Sequence, residues 1–593
     1  MHGHAPWLDP YSFRPESGAR LNPGGWPFGL PYWPLEAAFG QVWAWNLFVL
    51  LTFVAAGWLA YLWLRELGLG QFPAVLGGLA FEAAPYRAAQ SAGHLLGPIS
   101  ILLPLTLWAF ERGRRGSRWW LLLAGAALAS IPLSGQVHLA LGAIPFFALY
   151  AWCRTRNRML LGLAGGCVAA AVGAGVLIDR VSISGTIGPG GRSLAQVSSY
   201  SADGLDFLVR RKRHGSESFV FLGWLTPAAA IAGLWLLWRE HRRDLFWVLG
   251  LGAVVPVLLA LGTHLPVYSL LWHALPPFRY PRVPERLMPV ACLAIAGLVA
   301  FAAAELRRVR LPAGQERRRA AVALLVVLLL LDLHATVFGA SAADGSNQAY
   351  AAIRREPPGR LLELPVFLPD VHFGSVFLYY DMQARRQRPG GYSTTAPVAA
   401  DQVARRLRRL SCGDWTRDRA GILSGLGVRS IAFHAGVYGQ SHLPNGEAWL
   451  AWRELVANGW RPLATDGAVT AFVPGRGTPG AVPPVSEPRR DDLLFCEGWY
   501  GPSELGRQMA SGHAPLWAYG GGTLRLFVSS PKPLDVVLGV DGKPRIRRHI
   551  SSLEELQLSL AGRRWHLITF DALRLVVVAG RPQGVRVEAY VLP

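Results

Sequence analysis

Acidic residues, cysteine and methionine are all scarce in this 593-residue chain, which has 38 Asp plus Glu against 59 Lys plus Arg, five cysteines and five methionines. Only 16% of positions are charged while 51% are hydrophobic, and the mean hydropathy is +0.26. An ordinary water-soluble domain, in which ~25% of residues are charged, is excluded. So few cysteines exclude a disulfide-rich scaffold, and no Cys/His spacing suited to a metal site occurs. No internal repeat is visible, and Asp332 is the one clear acidic residue well inside an apolar run. A secondary transporter, built from similar halves with midplane charges, is therefore disfavoured. The formal net charge of +21 is almost all arginine. Nucleic-acid binding would set that charge on one soluble face with interleaved aromatics. Here much of it lies in short loops between apolar runs, so no nucleic-acid partner is expected.

Apolar sequence takes the place of what is missing. From Val42 to Phe338 the chain is mostly long apolar runs; from Ala340 onward it reads as a mixed-charge globular polypeptide. A bilayer core of ~30 Å needs ~20 apolar residues in helix. About ten such runs are expected, at 43–64, 73–90, 95–111, 118–135, 137–152, 159–178, 219–238, 245–262, 287–305 and 320–338. Tryptophans cluster at their edges (Trp43, Trp45, Trp119, Trp120, Trp152, Trp238), where an amphipathic ring suits the headgroup layer. Small-residue stretches such as Ala124-Gly125-Ala126-Ala127 and Gly165-Gly166 would let helices approach closely.

The loops set the orientation. Arg112, Arg114, Arg115 and Arg118 follow the third run, Arg154, Arg156 and Arg158 the fifth, and Arg239, Arg242 and Arg243 the seventh. Arg307, Arg308, Arg310 and Arg317–Arg319 follow the ninth. All four loops fall on one side, which the positive-inside rule makes cytoplasmic. Residues 1–42, 179–218, 263–286 and everything after 339 are then expected outside. Met1 to Gln41 is polar, rich in Pro and Gly, and without a signal peptide, so a further span upstream is expected to carry it across.

The C-terminal region divides in two. Strands at Arg360–Pro365, Val428–Phe433 and Val469–Val473 alternate with helices at Ala399–Leu410, Ile422–Leu426 and Ala448–Asn458, an α/β pattern. After a linker of prolines and glycines from Pro474 to Pro484, short strands take over: Thr523–Val528, Leu534–Val540, Leu556–Leu560, Trp565–Phe570, Leu573–Val578 and Val585–Val591. They predict a β-sandwich. The expected fold is thus a polytopic α-helical membrane protein followed by a soluble α/β region and a C-terminal β-sandwich. Its divisions are 1–42, 43–338, 339–480 and 481–593. A disulfide between Cys412 and Cys496 is open to such an outer region, whereas Cys153, Cys167 and Cys292 fall in or beside apolar runs.

Arginines on the outer side run against the orientation bias. Two groups stand out: Pro85-Tyr86-Arg87 with His94, and Arg279, Tyr280, Arg282, Glu285 and Arg286 with His264 and His273 nearby. A lipid phosphate at the outer leaflet calls for cations there, and arginine offers a planar fork for it. Glycosyl transfer also needs a carboxylate to deprotonate the acceptor hydroxyl or hold a divalent cation. Asp9, in a loop rich in Trp, Pro and Gly, leads the outer candidates over Glu16, Glu36, Glu82, Asp179, Asp203 and Asp206. The run Arg210-Arg211-Lys212-Arg213 suits a solvated loop or anionic headgroups, and Tyr379-Tyr380-Asp381 with Pro389–Ser393 reads as a structured aromatic surface.

From Trp26 to Trp108 the chain resembles bacterial multi-spanning proteins of the GT-C glycosyltransferase superfamily. The resemblance lies in Pro27-Phe28-Gly29, Ala44-Trp45-Asn46-Leu47, Tyr61 with Arg65, Ala84-Pro85-Tyr86-Arg87 and Gly93-His94. Leu275 to Arg286, Glu363-Leu364-Pro365 and Gly390-Gly391-Tyr392-Ser393 extend it. It implies a polyprenyl-phosphate sugar donor, a glycan or lipid acceptor, and transfer on the outer face of the bacterial cytoplasmic membrane. It also implies that the chain begins part-way through the first outer loop, with Asp9 the only Asp of that segment. Arg87, His94, Arg279, Arg282 and Arg286 would bind substrate and Asp9 would be catalytic. The competing reading is a non-catalytic lipid-carrier or glycan-binding assembly protein.

Overall fold

The computed structural model describes residues 8–18, 20–21, 23–91, 94–183, 191–210, 219–306, 314–334, 344–393, 396–415, 419–441, 445–475, 483–578 and 581–592. Gly93, Arg211–Arg213, Arg307, Arg308, Arg310 and the linker residues Gly477, Pro479 and Gly480 lie outside them. Two compact units emerge, one holding residues 21–184 and 188–345, the other 9–20 and 346–593.

The first unit is helical. Among the described residues, five helices are long and apolar enough to cross a membrane: Gly29–Glu66, Val137–Arg154, Arg158–Val181, Arg243–Ala260 and Pro284–Glu305. The expectation of about ten is not met, for identifiable reasons. The apolar stretch 73–111 is divided into Gln71–Glu82, Pro85–Ser91, Leu96–Ile99 and Leu102–Arg115. The break after Glu82 falls where Pro85 cannot extend the preceding helix. Trp119–Leu133 and Leu225–Arg239 have 15 residues each, or ~22 Å of helix against a ~30 Å core. The final run is interrupted because the helix ends at Asp332, and residues 335–338 lie outside the described ones.

The helix Met288–Leu306 forms the centre, with Val290 to Ala294 buried throughout. Close approach there depends on glycine: a Cβ on Gly233 would meet the Leu298 carbonyl at 2.0 Å. Tryptophans remain on the outside, with Trp43 and Trp119 exposed by 73% and 77%, as lipid-facing rings should be. Asp332 caps a helix in trans, its carboxylate accepting the backbone N–H groups of Trp224 and Leu225 at 2.8 Å each. An acid at a helix N-terminus satisfies donors that the helix itself leaves open.

The second unit contains an α/β layer and a β-sandwich. The α/β sheet runs Arg360–Leu364, Val428–His434, Val469–Pro474, Trp460–Asp466, with the first pair parallel and the others antiparallel. The sandwich sets Glu554–Leu560, Gly522–Ser529, Arg586–Leu592 and Arg507–Gln508 in one sheet. The facing sheet holds Lys543–Ile550, Leu534–Val540, Trp565–Ala572, His513–Tyr519 and Leu494–Phe495. Alternate residues of each strand (Leu524, Leu526, Val528; Val536, Leu538) fill one core, the inward–outward alternation of a packed sandwich. Cys412 of the α/β layer and Cys496 beside the sandwich form a disulfide. His513 of the sandwich bridges Asp414 (2.9 Å) and Asp571 (2.6 Å).

Residues 9–20 belong to this unit. Arg388 N–H donates to the Tyr11 carbonyl at 2.9 Å, Phe13 N–H to Gly390 at 3.1 Å, and Arg14 N–H to Arg388 at 2.8 Å. Phe13 then packs with Ala396 and Ala400.

Candidate functional site at one end of the helical unit

Three helices carry polar groups at their ends, two of them at both, and so relate the two poles of the first unit. Val137–Arg154 begins at His138 and ends at Arg154, Arg243–Ala260 begins at Asp244, and Met288–Leu306 starts just after Arg286 and carries Glu305 near its end. The first of them, with 18 residues, separates its ends by ~27 Å.

At the Arg154 pole five arginines face an acid, while Arg156 and Arg242 lie over the Trp152 and Phe301 rings. Arg154 Nε donates to Glu111 at 2.7 Å and Nη1 pairs with Asp244, while Arg114 reaches Glu111 at 2.6 Å. Tyr150 hydroxyl donates to the same fully buried carboxylate at 2.8 Å. Arg112 and Arg115 share Glu66 at 3.3 and 3.4 Å, and Arg239 meets Glu305 at 3.0 Å. Three of the four arginine-bearing loops are therefore drawn to one pole.

The other pole carries a second group of arginines. Arg279, Arg282 and Arg286 are all half-buried in a segment of prolines and short turns, Leu275 to Leu287. Pro276, Pro277, Pro281 and Pro284 fix backbone angles there and keep the segment out of regular helix. Arg279 is oriented by donating from Nε to the Trp272 carbonyl and from Nη2 to the His273 carbonyl, each at 3.1 Å, with its guanidinium 5.3 Å from the Trp272 ring centre. Arg282 lies 4.5 Å over the Tyr200 ring. The 191–210 segment joins the group, since Arg192 N–H donates to the Arg279 carbonyl at 2.6 Å. His138, at the start of its helix, is within electrostatic reach of Arg286, Arg282 and Arg192. Glu285 is buried within the same segment, and Asp203 pairs with His264 at 3.3 Å.

The other candidate residues have these positions. Arg87 is fully buried, with Nε donating to Ser100 at 2.9 Å, Nη1 to the Glu82 carbonyl at 3.1 Å and Nη2 to the Thr52 carbonyl at 3.0 Å. Its guanidinium is stacked near Phe53 and Phe81. That engagement ties three helical segments together. His94 Nδ1 hydrogen-bonds Gln90 at 2.9 Å. Asp9 belongs to the second unit, where Oδ1 accepts the N–H groups of Tyr11 (2.9 Å) and Ser12 (3.1 Å) as a turn. Asp203 and Asp206 form a reciprocal capping box.

His138 and Arg192 were not picked out from the sequence. His138 sits inside an apolar run and reads as a core histidine; Arg192 lies in a loop with no aromatic or acidic pattern around it. Their signal is tertiary. Chemically, the pole offers several arginine forks backed by aromatic faces, which suits a polyanionic headgroup such as a phosphate. Among the described residues no group of three or more His, Cys, Asp or Glu is placed to hold a metal ion.

No protein-family model and no curated protein matches the chain. Solved structures do align with it. The arabinofuranosyltransferase AftD from mycobacteria aligns over 99% of this chain at 12% identity and a TM-score of 0.49. This chain spans 59% of the length of that one. ArnT from Cupriavidus metallidurans, bound to undecaprenyl phosphate, aligns over 74% of this chain and 86% of its own, at 14% identity and a TM-score of 0.40. The oligosaccharyltransferase AglB from Archaeoglobus fulgidus, with an inhibitory peptide and a dolichol-phosphate, covers 80% of this chain and 68% of its own at 12% identity and a TM-score of 0.40. These neighbours are GT-C glycosyltransferases. With every TM-score below 0.5, the likeness by itself carries no assignment of activity.

Proposed function

We propose that this chain is a membrane glycosyltransferase that moves a sugar from a polyprenyl-phosphate donor to an envelope acceptor on the outer face of the cytoplasmic membrane. The observation that carries the reading is a cluster of arginines at one end of the helical unit: Arg279 and Arg282 lie over the Trp272 and Tyr200 rings, and Arg286 sits in the same proline-rich segment. The opposite end gathers three of the arginine-bearing loops, with acid pairs at Glu66, Glu111, Asp244 and Glu305. The paired pole is taken as cytoplasmic on the positive-inside rule. The Cys412–Cys496 disulfide supports an oxidising compartment for the C-terminal unit.

In this reading Arg279, Arg282 and Arg286 neutralise the donor phosphate, which must leave with its charge stabilised as the glycosidic bond breaks. Arg87 acts as a buried brace of its own helices, and His94 is a proposed donor contact. Asp9, which belongs to the second unit, is proposed as a base on the sequence reading alone, independently of where the arginines lie. With Oδ1 holding the turn, Oδ2 is the oxygen that would take the acceptor's proton. A neutral isostere of Asp9 separates the two readings. Asp9→Asn should abolish sugar transfer from a polyprenyl-phosphate donor while leaving undecaprenyl phosphate binding intact. If transfer persists in Asp9→Asn, Asp9 is not the base. If no transfer is found in the wild-type protein with any polyprenyl-phosphate sugar, while undecaprenyl phosphate still binds, the chain is a carrier-binding assembly protein instead.

A further inference from the structure

A cavity of about 190 Å³ lies in the second unit, away from any residue assigned above. Its lining combines two aromatic rings, Phe367 and Phe373, with Arg408, Ser441, Glu447 and Glu497. Phe367 stacks on Phe377 (5.8 Å, 19°) and is tilted against Phe373 (5.9 Å). Both lining phenylalanines are only half-buried, so ring surface is left facing the cavity. Arg408 and Glu497 pair at 2.8 Å and are partly exposed. Glu447, by contrast, is 4% exposed in the first turn of the helix Asn445–Ala457. No hydrogen bond to its carboxyl is made among the described residues. A buried carboxyl that lines a cavity without a protein partner is an expensive feature unless something else bonds to it. The Cys412–Cys496 disulfide ties the walls together, because Ser411 and Cys412 line one side and Glu497 follows Cys496 on the other.

We propose that this cavity is a binding site for one neutral monosaccharide unit of a glycan. The volume is below the ~300–1,000 Å³ of sites for drug-sized ligands and suits a single sugar ring. The C–H face of such a ring packs on Phe367 and Phe373, while its hydroxyls find acceptors in Glu497 and in the Ser441 oxygen, whose own proton goes to the Tyr438 carbonyl at 3.1 Å, a donor in Arg408, and both in a carboxyl such as Glu447. The charge balance selects a neutral ligand. Arg408 offsets Glu497, and burial together with Glu497 pushes the Glu447 carboxyl up to about 8, so it carries a proton near neutral pH and can donate as well as accept.

The site does not depend on the donor reading. Arg282→Ala should weaken lipid-phosphate binding and leave sugar binding unchanged, so each can fail alone. The test is saturation-transfer NMR on the whole chain in lipid nanodiscs. The probes are methyl glycosides of neutral hexoses and pentoses, with a methyl glucuronide and a methyl glucosaminide as charged comparators. Saturation should reach at least one neutral glycoside and weaken about tenfold in Glu447→Ala and in Phe373→Ala. Glu497→Ala, at the partly exposed rim, gives the same readout without removing a buried group. The proposal is overturned if no neutral glycoside receives saturation, if only the charged sugars do, or if transfer is unchanged in both Phe373→Ala and Glu497→Ala.

Discussion

Opening the Cys412–Cys496 bridge should weaken the C-terminal unit by several kcal/mol. The bridge joins residues 84 apart in sequence. In the chain-entropy model a loop of that length removes about 4–5 kcal/mol of freedom from the unfolded chain at 25 °C. A factor of ten per 1.4 kcal/mol makes this about three decades in the unfolding constant. With a urea m-value of about 3 kcal/mol/M, the midpoint should fall by roughly 1.5 M. The bridge has a built-in reporter, since Trp517 Nε1 donates to the Cys412 carbonyl at 2.7 Å. Its fluorescence should change on reduction before global unfolding. Maleimide mass-tagging of the denatured protein should count three thiols, Cys153, Cys167 and Cys292, and five after reduction. Five thiols before reduction, or an unmoved urea midpoint after it, would refute the reasoning.

Removal of a buried charge should be felt strongly in the same unit. Arg388 is fully buried and meets Glu363 and Asp381 at 2.5 Å each. Arg388→Met leaves two carboxylates without their counter-charge and should cost about 3–5 kcal/mol, read as a lowered thermal midpoint. The pH response should have two opposed limbs. Glu447, at about 8, keeps a proton that the unfolded chain loses near ~4.3. The native state then holds more protons, so stability falls as pH rises between those values, by at most ~1.4 kcal/mol per unit. Glu447→Gln should flatten that limb in urea midpoints measured against pH. His434, held down to about 3 by burial and Arg388, stays neutral against Tyr350. The unfolded chain takes up that proton below ~6.5, so stability falls as pH drops from there, and His434→Gln should reduce the acid limb.

Periodicity and charge made a good part of this architecture legible. Leu534–Val540 was bounded correctly because Asp541-Gly542 ends it, and Asp541 indeed takes a positive φ of 50°. The arginine loops were grouped by parity alone, and Glu66, Glu111 and Asp244 draw three of them together. Length was misjudged where a proline divided an apolar run, as at Pro85, since hydropathy does not register a missing N–H. Lys543–Ile550 was missed because an edge strand can carry Lys543, Arg545, Arg547 and Arg548 on exposed positions, which defends it against further pairing. His513–Tyr519 was missed because Pro515 interrupts its pattern. Of the candidate site, Arg279, Arg282 and Arg286 were marked by sitting against the charge bias. Arg192 and His138 join them only through folding, and nothing local announced that Arg87 would be enclosed or that residues 9–20 would pair with Arg388 and Gly390.

Undecaprenyl phosphate binding to the protein in nanodiscs tests the central claim most directly, with Arg282→Ala/Arg286→Ala compared against Arg112→Ala/Arg115→Ala at the opposite pole. The account predicts a loss of about a hundredfold in the first variant, as two charge-assisted contacts of ~1.4 kcal/mol each imply, and no change in the second. Equal binding by all three proteins, or a loss confined to the Arg112/Arg115 variant, would contradict it.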